Sequence, residues 1–142
     1  RLFTHGRRLL GVRLKLTVLL VAEVVAAAFY TLLASRLPQG SLRSGLEELA
    51  ADEAHHLRFH GDFFALQPWG PLGRALWKVG WWALSTAAVL VVLVDHHRTL
   101  RALGIPLGEA VQAFGALSAR AARAAQPGEV GLDVRFHPGL GG

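Results

Sequence analysis

From residue 11 to residue 36 the chain runs through Leu, Val and Ala with no proline and no glycine after its first position, and it carries one acid, Glu23. At about 1.5 Å per residue such a stretch is a helix roughly 40 Å long. Glu23 is the only acidic side chain in the first forty residues. Leu37-Pro38-Gln39-Gly40-Ser41 breaks the run. A second helix is expected over about 42–66, opening at Ser41 or at Ser44, where Ser44 and Glu47 have capping-box spacing, and closing before Pro68. Gln67-Pro68-Trp69-Gly70-Pro71 is the next break. A third helix is predicted over 71–103, with Pro71 in its first turn, and Gly104 and Pro106 stop it. A fourth, rich in Ala, is predicted over 106–125. Strand-like alternation is confined to 130–136, too short to build a sheet alone, and the glycine-rich tail is expected to be loose. The pattern predicts an all-α protein. Residues 1–67 hold one helix pair, 68–126 hold two further helices packed on it or associated with a membrane, and 127–142 form a flexible tail.

Hydrophobic residues make up 52% of the chain and charged residues 18%, which supplies a core and excludes disorder by composition. The absence of cysteine excludes disulfides, Cys-type zinc sites and thiol catalysis. Methionine is also absent, the first residue is Arg1, and no signal-peptide arrangement opens the sequence, so the chain reads as a piece of a longer protein. The net charge is +5, but the basic residues are spread along the chain, mostly at the ends of apolar runs. No aromatic–basic RNA-binding motif accompanies them, and no nucleic acid is expected.

A carboxylate among aliphatic residues is costly to bury unless it is paired, protonated or bound to metal, which singles out Glu23. The string Asp52-Glu53-Ala54-His55-His56-Leu57-Arg58-Phe59-His60 places Glu53 and His56 three apart, on one helix face. If the first two helices form an antiparallel hairpin centred near Gln39 or Gly40, Glu23 lies as far before the turn as Glu53 and His56 lie after it. All three then sit at one height, about 20 Å from the turn. His60, one turn beyond His56, is on about the same face. His55 is expected to face away, with Asp52 three residues before it.

These residues resemble the ferritin-like di-iron carboxylate proteins, which draw a Glu from each of two helices and a Glu-x-x-His from each of two others. Along such a chain the order is Glu, Glu-x-x-His, Glu, Glu-x-x-His. Glu23 followed by Glu53 and His56 looks like the second half of that series. The string from Asp52 to His60 is similar to the D-E-x-x-H-x-x-F-H signature of several ferritin-like families, and the likeness covers about 11–66. The resemblance implies a ferritin-like bundle whose C-terminal half is this chain. Its metal ligands would be Glu23, Glu53 and His56, with His60 and Asp52 as outer partners. It implies a di-iron centre, with manganese as the alternative metal, in an oxidoreductase, an oxygenase or an iron-oxidising protein. The other half of the ligand set is absent, so missing N-terminal helices or a second copy are needed to complete the site.

A second class competes. Residues 14–34 and 75–94 are each long enough to cross a bilayer, which would make a small helical membrane protein without catalysis. Glu23 opposes the first span, because a central carboxylate is expensive there. Trp69, Trp77, Trp81 and Trp82 with Arg74 and Lys78 resemble the flank of a membrane segment, and equally a helix docking on a bundle. Asp95-His96-His97 closes the most apolar stretch as charged residues ordinarily do. The expected location is cytoplasmic, with membrane association through 75–94 as the variant.

Overall fold

The computed structural model describes residues 2–125, with side chains from residue 11 onward, and every regular element among them is a helix. The five are α1 (Leu2–Ala34), α2 (Ser41–Ala65), α3 (Pro71–Asp95), α4 (His97–Ala102) and α5 (Leu107–Ala124). The glycine-rich tail and the alternation at 130–136 lie outside the described residues.

α1 begins well before residue 11, because Gly6 and Gly11 weaken a helix without stopping it. It closes at Ala34 rather than Arg36: the amides of Ser35, Arg36 and Leu37 reach back to Thr31, Leu33 and Ala34 in a tightening last turn ahead of Pro38. Ser44 and Glu47 do not form a capping box. The turn through Pro38 releases the chain at Gly40, α2 starts at once at Ser41, and the Ser44 amide is already spent on the Gly40 carbonyl at 3.0 Å. Glu47 pairs instead with Arg43, 2.7 Å away.

The helix expected over 71–103 is two helices. Pro71 occupies the first turn of α3 as anticipated, but the chain leaves helical geometry at His96, whose φ and ψ are −100° and 13°. The His96 ring packs on Phe29 of α1 with centroids 4.7 Å apart, and His97 Nδ1 takes the Val94 carbonyl at 2.8 Å. Such a local side-chain bond competes with the helical ladder. Beyond the break, α4 ends in a Schellman motif. Gly104 adopts φ +65°, its amide bonds Arg101, and the Ile105 amide bonds Leu100 at 2.9 Å. Leu100 and Ile105, the pair that this motif brings together, are both buried. Gly104→Ala is expected to lower stability by about 1 kcal/mol, read as a shifted urea midpoint, because only glycine enters that region without strain.

α1 is the central element: it packs most extensively on α2 and also meets α3 and α5. Its pairing with α2 is antiparallel, since Arg13 bonds Gln67, Glu23 bonds His60 and Arg43 bonds the Leu37 carbonyl. Leu20, Val24 and Ala27 of α1 meet Leu57 and Phe64 of α2, Trp81 of α3 and Phe114 of α5 in one core. α5 joins it through Ala110, Phe114, Leu117 and Ala121, a helical face, and Glu109 in its first turn ion-pairs with Arg36 just beyond α1.

Candidate metal centre

Seven-residue rows along α2 show how the hairpin sets its polar residues. Ala50, Leu57 and Phe64 are buried against α1. Leu46, Glu53, His60 and Gln67 form the next row, half-buried or buried. Leu42, Leu49, His56 and Phe63 follow on the outer side. Glu53 and His56 therefore straddle the edge of the α1–α2 contact. On α1, Glu23 lies in the row of Leu16 and Tyr30, all half-buried.

The hairpin brings Glu23, Glu53 and His56 together: each offers a ligand atom within 4.8 Å of the others. His56 Nδ1 is 3.4 Å from Glu53 Oε2 and 3.9 Å from Glu23 Oε1. Two ligands of one first-row metal, each about 2.1 Å from it, stand roughly 3–4 Å apart, so the spacing suits a single ion. Two carboxylates and an imidazole are also a donor set that iron, manganese and zinc accept.

His60 is drawn into the same group. Its Nδ1–H donates to Glu23 Oε2 at 2.7 Å, and its side chain is only 9% exposed. Glu23 thus has one oxygen held from behind while Oε1 faces His56. An outer hydrogen bond of this kind fixes a ligating carboxylate. Of the two residues expected as outer partners, Asp52 is exposed and has no side-chain hydrogen bond or ion pair among the described residues. His55 turns to its own helix, with Nδ1 on the Ala51 carbonyl at 3.0 Å. Asp95, at the end of α3, and His96, just beyond it, pair weakly at 3.5 Å, apart from this group.

The group is closed on one side and open on the other. The Glu23 side chain is 16% exposed whereas that of His56 is 62% exposed. On the open side, beside the exposed Asp52, Leu49 and Phe59 are exposed near His56, and Leu42 and Leu66 are exposed further along, at the start of α2 and just past its end. Sequence reasoning passed over this surface, although Leu42, Leu49, His56 and Phe63 recur every seven residues, a period that marks helix seams. No family model, curated protein or solved structure matches the chain.

Proposed function

We propose that the chain is a metal-binding protein of the ferritin-like di-iron type, contributing Glu23, Glu53 and His56 as one half of the ligand set. The observation that carries this reading is the convergence of the three ligand atoms within 4.8 Å across two antiparallel helices. The 2.7 Å bond from His60 supports it, since it leaves Glu23 Oε1 available while holding the carboxylate still.

Two carboxylates and one imidazole leave coordination positions unfilled. In this reading a second helix pair, carrying its own Glu and Glu-x-x-His, covers the open side and buries Leu42, Leu49, Phe59 and Leu66. A segment N-terminal to this one or a second copy would supply it. Bound iron would supply dioxygen activation or oxidation of further ferrous iron, with manganese as the alternative occupant. The chain's own residues would position the ion, with His60 holding Glu23 in place.

The test is the metal content and Fe(II) or Mn(II) affinity of the full-length parent protein, with this chain unaltered or carrying Glu53→Ala/His56→Ala or His60→Gln, and helicity followed by circular dichroism. Metal should bind the unaltered chain. His60→Gln should weaken it by the roughly 10–100-fold that loss of an outer partner costs, and the double variant by more. Equal metal in all three, or none in any, would refute the assignment.

A further inference from the structure

Two helices are long and apolar enough to cross a membrane, residues Gly11–Ala34 and α3, but the fold uses them differently. In the first, 44% of the most apolar stretch is buried inside the protein; in α3 the figure is 17%. α3 does bury Trp81, Ser85 and Leu93. Its other side exposes Leu72, Leu76, Val79, Leu90, Val91 and Val94, with Trp82, Ala83, Thr86 and Ala87 between them. No charged residue occurs from 79 to 94. A helix that is apolar all round belongs in a core or in lipid, and here only half of it has a core.

The charges at its two ends indicate what covers the rest. Arg74 and Lys78 near the start and Arg98 and Arg101 just past the end are exposed, and none of the four makes an ion pair among the described residues. Asp95 is the single acid from 69 to 103. Trp82 is exposed among these apolar residues, whereas Trp69 and Trp77 pack into the core. Lipid interfaces favour tryptophan, and exposed cations beside an apolar strip complement anionic headgroups.

We propose that α3 is a membrane-surface helix: its exposed side lies in the interface of an anionic bilayer, parallel to the membrane plane, while Trp81 and Leu93 hold it to the helical body. By length alone α3 could cross a bilayer. Its opposite side is taken up by the protein, so it lies on the membrane instead of crossing it.

The experiment is flotation of the full chain with phosphatidylcholine–phosphatidylglycerol vesicles and with phosphatidylcholine vesicles, alongside sedimentation without lipid. The chain should float with the anionic vesicles and far less with the neutral ones. Arg74→Gln/Lys78→Gln should weaken anionic-vesicle binding about thirty-fold, and Val79→Asp/Val91→Asp should abolish it with helicity intact. A chain that stays down with both vesicle types overturns the proposal, as does continued flotation of the aspartate variant. A lipid-free dimer that Val79→Asp/Val91→Asp converts to monomer would overturn it too, giving the surface to a second copy.

Discussion

Phe64→Ala should lower the unfolding free energy by about 3–5 kcal/mol, as deletion of a fully buried aromatic side chain does. Phe64 has no exposed surface and sits where α2 meets the third helix. Its ring lies 5.8 Å from Trp77 and 6.4 Å from Trp69, and its carbonyl accepts the Trp69 indole N–H at 3.2 Å. Truncation leaves a hole bounded by rigid rings, which collapse poorly around it. Phe59, five residues earlier on the same helix, is 67% exposed, so Phe59→Ala in the isolated chain should stay within about 0.5 kcal/mol. Urea unfolding of the two variants side by side checks the contrast. Similar losses would mean that Phe59 is covered as well.

Glu23 and His60 should behave in the opposite sense when both are removed. In the metal-free chain, His60→Ala strips Glu23 Oε2 of its donor and should cost about 1–3 kcal/mol. Glu23→Leu/His60→Leu exchanges the whole pair for apolar volume beside Val24 and Leu57. It should leave stability unchanged or raise it, because replacing both members of a buried polar pair by apolar groups is nearly neutral or stabilising. A stabilised double variant would show that this part of the hairpin is held below its best packing, as expected where residues serve a ligand. A double variant destabilised as much as His60→Ala, or more, would make the pair structural and remove the main reason to look for metal there.

The hairpin was the most legible part of the sequence. Pro38 and Gly40 fix the turn, the apolar run before it fixes one helix, and equal distances from the turn bring Glu23 level with Glu53 and His56. Side-chain direction was less legible. Local spacing set His55 apart but could not choose between Asp52 and His60 as the outer partner. The structure joins His60 to Glu23 because the two helices approach closely there, whereas Asp52 falls on the outer side. The break at His96 was hidden for a related reason. No glycine or proline marks it, and it follows from a ring contact with Phe29, sixty-seven residues away in sequence. Ser44 misled in the other direction, because a capping pattern is only used when the helix has not already begun upstream.

The aromatic cluster also gives the molecule an optical address. All four tryptophans fall between 69 and 82. The rings of Trp69, Trp77 and Trp81 follow one another at 6.3 and 5.5 Å, and Arg13 lies 4.6 Å over the first. The single tyrosine, Tyr30, is seventeen residues further along α1 from Arg13, about 25 Å along the helix axis. Indole emission therefore reports on this cluster and, through Trp81, on the core it joins. Neighbouring rings at these separations exchange excitation, so their light should be depolarised and their near-ultraviolet dichroism coupled. Loosening at the far end, around Tyr30 and Gly104, would leave that signal untouched until the common core gave way.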